Sequence, residues 1–435
     1  MTALYLLLIS ENTQMLEQTN PVLLEHLFRR QAGRIVSWLA GLLGPQHLQL
    51  AEDSVQEAML RAMQAWSFQG VPEKPEAWLF RVAHNYAISV LRRGTCFESK
   101  ADALTALLDV QKEHFTHIDI EDHLRDDELR MIFMCCHPSL AENARVGLGL
   151  NLAGGFSAGE IARVYLVDES VIAQRLVRAK RQIREQNISL SMPDQSKACE
   201  RLDSVLNVIY LMFSAGYAAH SGEELMRRDV CLEALRLGRL VAESSMSAPR
   251  VDALAALMAL QAARLPARTD ASGDLILLEE QNRSLWDDTL IAMGFHYFSR
   301  SIAGQDVSEW HVQAAIAAEY AKAKEIGWID WPAILDHYDQ LVAMNSSPVV
   351  MLNRAVAMMK VHGAQAALSE IAPLEVHASM RGYYLLPAVR GRMLAELGRY
   401  LEAERSFHAA LACDCSNPER RFLEKQLAMV SMQKE

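Results

Sequence analysis

Basic and amide side chains suited to recognition of nucleic acid are concentrated between Phe156 and Glu185. Guanidinium groups pair with phosphates and guanine edges, and amide side chains can bind adenine through two hydrogen bonds. Charged helix faces are often merely solvated, so an ordinary solvated helix pair is the alternative to a DNA-binding surface. The candidate contacts share the free face or the flanks of one predicted helix: Ser170, Gln174, Arg175, Arg178 and Arg181.

Two short helices are needed to position these side chains. Ser157 and Glu160 have the spacing of a capping box, which predicts that the first helix starts just after Ser157. A short turn ends at Asp168, whose carboxylate we expect to accept from the first free backbone N–H groups of the second helix. The sequence therefore predicts a helix-turn-helix with a recognition helix. The apolar residues of that helix fall on one stripe: Ile172, Leu176, Ala179 and Ile183.

A second group of polar residues lies in residues 21–93, which read as amphipathic helices separated by Gly-Pro and Pro breaks. The helix AEDSVQEAMLRAMQAW carries polar groups opposite its apolar face, and a solvated acidic face is again the alternative. These groups are Asp53, Gln56 and Glu57. The next helix, PEAWLFRVAHNYAISVLRR, is expected to place Trp78 and Tyr86 in the core. Its residues available to solvent or a partner are Arg81, Asn85, Ser89, Arg92 and Arg93.

The charge distribution is uneven along the 435 residues. The net charge of −11 argues at first against a nucleic-acid partner. However, residues 98–128 alone hold ten acidic and three basic residues, and residues 187–435 contribute −7. The two segments with candidate DNA contacts are therefore mildly basic, and they are joined by an acidic stretch of the kind normally disordered and solvated.

No catalytic constellation is visible in the sequence, and neither an enzyme activity nor a cofactor is expected. The sequence has no nucleophile elbow, no phosphate-cradling glycine loop and no His-Glu zinc helix. Cys135, Cys136 and His137 suggest a metal site, but a second ligand pair with suitable spacing is missing. Buried thiols near a helix end, which Pro138 terminates, are the favoured interpretation, so no metal is expected.

The sequence also predicts a cytoplasmic protein without a membrane partner. No segment approaches the roughly 20 apolar residues that span a bilayer. The apolar run Ala3 to Ile9 lacks basic residues before it and a small-residue cleavage site after it, which makes a poor signal peptide. Seven Cys without framework spacing suit a reducing compartment.

Residues 198–435 read as consecutive amphipathic helices with Ala-rich faces. Near their end, four residues match the small and aromatic positions of a tetratricopeptide (TPR) repeat, where small side chains let two helices approach closely. Ala355 and Ala367 repeat two of these positions 36 residues earlier, against a usual period of about 34. The predicted packing residues are Gly391, Ala403, Phe407 and Ala410.

The order of these motifs resembles a bacterial RNA polymerase sigma factor of the extracytoplasmic-function (ECF) class. The matching features are a Glu-Asp-x-x-Gln-Glu helix, a Trp-Leu-x-x-x-Ala-x-Asn helix ending in Arg-Arg, an acidic linker, and a helix-turn-helix ending in Arg-Ala-Lys. They correspond to regions 2 and 4 of such factors. The linker of about 30 residues is too short for another folded domain, which matches the lack of a middle sigma domain in that class.

The resemblance implies partners for each group. Asp53, Gln56 and Glu57 would dock on a coiled coil of the largest subunit of the RNA polymerase core. The helix from Trp78 to Arg93 would bind the −10 promoter element, and the recognition helix would bind the −35 element. The acidic linker would thread a basic cleft of the polymerase. Two departures, His84 for the usual Arg and Ser89 for a frequent Asp, affect the details of −10 recognition.

The C-terminal half resembles the long helical, TPR-like extension of one group of ECF sigma factors. The matching stretches include VIYLMFSAGYAAHSG, EEQNRSLWDDTLI, DWPAILDHYDQL and SPVVMLNRAVAM. Ser214-Ala215 departs from the Asn-Glu of that group. Helical repeats form concave surfaces, so we expect a regulatory domain with a protein or peptide partner, or alternatively a stabilising scaffold. An enzymatic pocket lined by Trp286, Trp310 and Trp331 is disfavoured, because no paired acid and base accompanies them.

The resulting expectation is an all-α sigma factor with a fused regulatory extension. The runner-up is a helix-turn-helix regulator with a TPR-like sensor domain that does not replace a sigma factor. The expected organisation is an N-terminal extension (1–20), region 2 (21–93), an acidic linker (94–124), region 4 (125–186), a second linker (187–197) and the helical extension (198–435).

Overall fold

The computed structural model describes residues 21–94, 127–165, 167–217, 226–304, 306–323 and 328–433. Within these ranges the regular elements are helices, apart from one isolated antiparallel bridge between Thr269 and Leu275. The all-α prediction is therefore confirmed for the described residues. The expected N-terminal extension and almost all of the expected acidic linker lie outside them. The chain divides into two compact units, Met1–Leu211 and Met212–Glu435.

The described part of the first unit begins with three helices whose ends follow the Gly and Pro signals. The turn after the first contains Gly44 at φ 87°, and the second ends at Gly70 at φ 76°, a backbone region that favours glycine. A buried core that includes Ile35, Leu39 and Leu79 joins them. The helices are α1 (Pro21–Leu43), α2 (Leu48–Gln69) and α3 (Pro75–Gly94).

Within the described residues of the first unit, five further helices begin after α3. They are α4 (127–135), α5 (Glu142–Leu148), which continues into a π-helical segment (Gly149–Ala153), α6 (Ala158–Tyr165), α7 (Glu169–Glu185) and α8 (Gln195–Tyr217). The π-helical segment packs closely on its neighbours. A Cβ atom at Gly33 of α1 would overlap the Ala153 carbonyl oxygen, and one at Gly149 would overlap Val208 of α8. The first three helices and the later ones therefore share one packed unit.

The start of α4 departs from the picture of a solvated acidic stretch up to residue 128. Asp127 and Glu128 are buried, at 8% and 1% exposure. Asp127 accepts a hydrogen bond from Arg130 at 3.0 Å, and the Arg34 guanidinium of α1 lies 4.0 Å from Glu128. Basic partners therefore hold these two carboxylates inside the unit. Composition alone cannot reveal such a pairing.

The second unit starts with helices around one central helix. α10 is buried on all sides, including the carboxylate of Asp252, which pairs with Arg300 at 3.1 Å. It packs against α9, α11 and α12. These helices are α9 (Arg228–Ala242), α10 (Pro249–Ala262), α11 (Asp288–Ser301) and α12 (Glu309–Lys322).

From α13 onward, each helix packs mainly on the helices next to it in the chain. Three successive apolar clusters follow this order, centred on Ile334, Ala367 and Phe407. The helices are α13 (Trp331–Met344), α14 (Pro348–His362), α15 (Ala364–Ile371), α16 (Leu385–Glu396), α17 (Tyr400–Leu411) and α18 (Asn417–Met432). Among the described residues, no helix is both long and apolar enough to cross a membrane.

Candidate nucleic-acid interface

The helix pair α6–α7 begins as the sequence predicts, with one exception. The Glu160 carboxylate accepts from the Ser157 backbone N–H at 2.8 Å, and the Ser157 hydroxyl accepts from the Glu160 N–H at 3.2 Å, which confirms the capping box. The Asp168 side chain, in contrast, makes no capping hydrogen bond to α7, so that prediction is wrong. Asp168 is exposed, and water can satisfy its carboxylate without help from the helix.

The two faces of α7 separate as the periodicity predicts. Ile172, Leu176, Ala179 and Ile183 are all buried, which confirms the apolar stripe. The opposite face exposes Ser170, Gln174, Arg178 and Arg181, whereas Arg175 is half-buried on the flank.

One member of this row already has a partner. The Arg181 guanidinium lies 2.6 Å from Glu185, one turn along α7, and the hydrogen bond to that carboxylate raises the arginine pKa. Both side chains are exposed, so the pair is open to competition from a phosphate.

The inner flank of α7 contacts α2. The Lys180 ammonium donates to the Glu52 carboxylate at 2.6 Å, and both side chains are mostly buried, at 18% and 15% exposure. The second carboxylate oxygen of Glu52 is buried without a protein partner. This ion pair joins two helices that are 128 positions apart in the chain. In the sequence, only the opposite charges of the two residues point to this pair.

The polar residues predicted on α3 lie on its exposed side. The exposed row follows helical spacing, and Arg93 at its end donates to the Ser89 carbonyl oxygen at 3.1 Å. His84 points inward instead, is 6% exposed and packs 5.5 Å from the Trp38 ring. This departure from the sigma-factor pattern therefore leaves the outer row unchanged. The row consists of Arg81, Asn85, Ser89, Arg92 and Arg93.

The predicted acidic face of α2 is only partly available. Asp53 and Gln56 are exposed, and Asp53 accepts from Gln49 at 3.0 Å. Glu57 pairs with Arg61 at 2.7 Å, one turn away on the same helix. A groove that includes Asp53 runs beside this face. Besides Asp53, six residues that the sequence analysis did not single out line it: Gln46, His47, Gln49, Leu50, Val90 and Leu91.

The aromatic residues near these helices divide into packed and exposed ones. Trp78 packs edge-on against the buried Trp66 at 5.4 Å, and Tyr86 is half-buried beneath Arg61. Phe68, near the end of α2, is 77% exposed. The sequence analysis did not single out Phe68. Its exposure could have been predicted, because it lies two positions after Trp66 and therefore about 200° away from the apolar face.

Cys135 and Cys136 are buried at the end of α4, as the sequence predicts. Burial raises the pKa of Cys136 to about 12, so its thiol stays protonated at neutral pH. A protonated, buried thiol is a poor nucleophile and a poor metal ligand. No cluster of metal-binding side chains is found among the described residues.

The four packing residues predicted near the C-terminus meet where α16 crosses α17. Ala403, Phe407 and Ala410 are at most 1% exposed. A Cβ atom at Gly391 would lie 3.0 Å from the Phe407 ring. Glycine at this position therefore allows the two helices to approach as closely as they do.

Two parts of the chain are similar to known protein families. The family model "Sigma-70 region 2" matches residues 27–95, and "Family of unknown function (DUF6596)" matches residues 201–302. Uncharacterized protein R00370 of Rhizobium meliloti (strain 1021) is 37% identical over 384 residues, which cover 88% of this chain and 90% of that protein. No solved structure matches significantly. A sigma-70 region 2 domain indicates a role in transcription initiation through RNA polymerase core and promoter DNA. The chain belongs to the same family as the Rhizobium meliloti protein and combines a sigma-70 region 2 domain with a DUF6596 domain.

Proposed function

We propose that this protein is an ECF-type sigma factor whose C-terminal helical half regulates or supports its activity. The observation that carries the proposal is the exposed polar row on α3, within the matched region 2 domain. Arg81, Arg92 and Arg93 are suited to phosphates, and Asn85 can both donate to and accept from a base edge. In this proposal α3 binds the −10 element.

The second promoter contact is assigned to the pair α6–α7, as a region 4 helix-turn-helix. Gln174 and Arg178 are exposed near the middle of α7, where a recognition helix would face base edges in the major groove. Ser170, Arg175 and Arg181 flank them for contacts with phosphates. The buried apolar stripe of α7 supports this assignment, because it holds the polar face toward solvent.

Docking on polymerase is assigned to Asp53, Gln56 and Glu57 of α2. Two of the three are exposed, and Glu57 can exchange its local partner Arg61 for a basic side chain of the polymerase. Charge-assisted hydrogen bonds suit such a contact. Because core polymerase and the chromosome share the bacterial cytoplasm, the protein would act there.

The C-terminal half is proposed to be a TPR-like array that binds a protein or peptide. From α13 to α18 the helices pack in chain order, each mainly against the helices next to it, and this order supports an array. The close contact between Gly391 and Phe407 supports TPR-like spacing in its last pair. We retain the domain boundaries proposed from the sequence. They are 21–93 for region 2, 125–186 for region 4 and residue 198 for the start of the extension.

The alternative is a helix-turn-helix regulator with a TPR-like sensor. Such a regulator would have no use for a region 2 domain that carries both an acidic face and an arginine-rich −10 helix. The match to sigma-70 region 2 therefore favours the sigma factor.

Run-off transcription tests the proposal. Purified core polymerase and the full-length chain are given a DNA library with varied −35 and −10 elements, and transcribed templates are sequenced. We expect enrichment of paired elements, with loss of the −35 preference when Gln174 and Arg178 are changed to Ala. Arg184→Ala, an exposed arginine on another side of α7, is the matched control. If core does not bind the chain while DNA does, the regulator interpretation is correct instead.

A further inference from the structure

Three arginines of the second unit gather around two aromatic rings. The guanidinium carbons of Arg264 and Arg283 lie 5.4 Å and 4.5 Å from the centre of the Trp286 ring. The guanidinium carbon of Arg268 lies 3.9 Å from the centre of the Tyr217 ring. Each contact is within the range of a cation–π interaction. We call these five residues the arginine cluster.

The hydrogen bonds of the three arginines go to neutral oxygens. Arg283 donates to the carbonyl oxygens of Tyr320 at 2.7 Å and Ala323 at 2.5 Å. Arg268 donates to the Tyr217 carbonyl oxygen, and Arg264 reaches only the Gln281 side chain, at 3.5 Å.

Among the described residues, none of the three arginines forms an ion pair with a carboxylate. Glu279, like Arg264, lies near Tyr320. Its carboxylate pairs with Lys360 at 2.7 Å and not with Arg264. The absence of counter-charge is notable because residues 187–435 hold 31 acidic against 24 basic residues.

Several donors of the cluster are buried without an acceptor. They are Nε and Nη2 of Arg283 and Nε1 of Trp286, a residue that is only 6% exposed. A buried donor without a partner destabilises the protein, and a charged donor does so more strongly.

The pKa shifts in the cluster also indicate an excess of positive charge. Burial, and then the nearby charge of Arg264, lower the pKa of Arg283. Burial would raise the pKa of Tyr217, but the charges of Arg264 and Arg268 outweigh it and hold that pKa below its ordinary value. The free protein thus carries concentrated positive charge next to unused N–H groups.

We propose that the arginine cluster is a binding site for a small oxyanion, a carboxylate or phosphate group. Such a group would accept from the free N–H groups of Arg283 and Trp286 and would neutralise the repulsion between Arg264 and Arg283. Guanidinium forks match the geometry of both oxyanions. The five residues lie within the DUF6596 match, so the proposal gives that domain a ligand class. It does not depend on the sigma-factor proposal, because it is tested without polymerase or DNA.

Calorimetric titration of the full-length chain tests this site. Inorganic phosphate and citrate are the two probes, at constant ionic strength, and they distinguish a phosphate site from a carboxylate site. We expect one of them to bind and to raise the midpoint of thermal unfolding. Arg264→Gln should weaken that binding by more than about tenfold, because it removes a positive charge that attracts the anion. Arg399→Gln, an exposed arginine paired with Glu402, is the matched control and should bind as wild type.

A second readout separates a ligand site from a structural cluster. If the positive charges are held for a ligand, Arg264→Gln relieves repulsion, so its unfolding midpoint without anion should equal or exceed that of wild type. A purely structural Arg264 would give a lower midpoint. The proposal is overturned if neither anion binds the wild type at concentrations up to tens of millimolar, or if Arg264→Gln binds as well as wild type does.

Discussion

The Lys180 ammonium on α7 lies 2.6 Å from the Glu52 carboxylate on α2, so the proposed −35 helix is held against the helix proposed to dock on polymerase. Glu52 directly precedes Asp53 in the chain, but it faces inward where Asp53 faces solvent. Glu52 and Asp53, although adjacent on one helix, therefore have different roles. One stabilises the packed unit, and the other is available to a partner.

Removal of the lysine should destabilise the first unit. In Lys180→Met the mostly buried Glu52 carboxylate loses its cation, and we expect a loss of about 1–3 kcal/mol of unfolding free energy. The double variant Lys180→Met with Glu52→Gln should recover most of that loss, because the uncompensated charge is gone. Urea unfolding followed by circular dichroism measures both. Equal instability of the single and double variants would contradict the assignment.

The same ion pair should affect promoter binding under the proposed function. The −35 and −10 elements lie about 25 base pairs apart, or about 85 Å at about 3.4 Å per base pair. Helices α2 and α7 cannot stay in contact while α7 and α3 reach both elements. We therefore expect the double variant to bind a promoter with core polymerase more tightly than wild type in a filter-binding assay. Weaker binding would show that the contact persists in the complex.

Stability should depend on the protonation of His311. Its Nδ1 accepts from the Ser308 backbone N–H at 3.0 Å, and burial lowers its pKa below the ordinary 6.5. The unfolded chain therefore takes up a proton first as pH falls, and the stability contributed by neutral His311 is lost from about pH 6.5 downward. The midpoint temperature of thermal unfolding should therefore decrease when the pH is lowered from 7.5 to 5.5.

The variant His311→Gln isolates this effect from the other histidines. Glutamine at the third helical position can still accept from the Ser308 N–H, as in an ordinary capping box, but it does not titrate. The pH dependence of its midpoint should be shallower than in wild type. An identical slope in the two proteins would rule out His311 as the titrating group.

Gly391 and Phe407 should be energetically coupled. Gly391→Ala gains about 1 kcal/mol of helix propensity. It also forces a methyl group against the fully buried Phe407 ring, and overpacking costs about 1–3 kcal/mol. We expect net destabilisation of the second unit, which a smaller side chain in Phe407→Leu should partly relieve. A double-mutant cycle by chemical unfolding measures the coupling, and strictly additive effects would contradict the contact.

Exposed Phe68 is expected to act in promoter melting under the proposed function. Stacking of a base on an aromatic ring contributes about 1–3 kcal/mol. Phe68→Ala should therefore reduce transcription from duplex promoters by more than about fivefold, with little change in protein stability. Val71→Ala, which trims an exposed aliphatic side chain nearby, is the matched control. Equal activity of the two variants would exclude a stacking role.

Features set by local periodicity could be predicted from the sequence. The buried stripe of α7, the Ser157–Glu160 capping box and the exposed row on α3 all depend on residues within a few turns of one another. Features that depend on distant partners could not. Burial of Glu128 needs Arg34, and the orientation of Lys180 needs Glu52, about a hundred residues away or more. The free Asp168 shows that a good capping residue need not form its hydrogen bond when water competes.

The all-round burial of α10 limits how this family can change in length. An array in which each helix contacts only its neighbours can gain or lose a pair at its end, because the new terminal pair covers the old one. The helices from α13 to α18 pack in this order. Removal of a helix that packs on α10 would expose part of its buried apolar surface. Duplications and deletions should therefore accumulate toward the C-terminus, while the segment around α10 keeps a fixed number of helices.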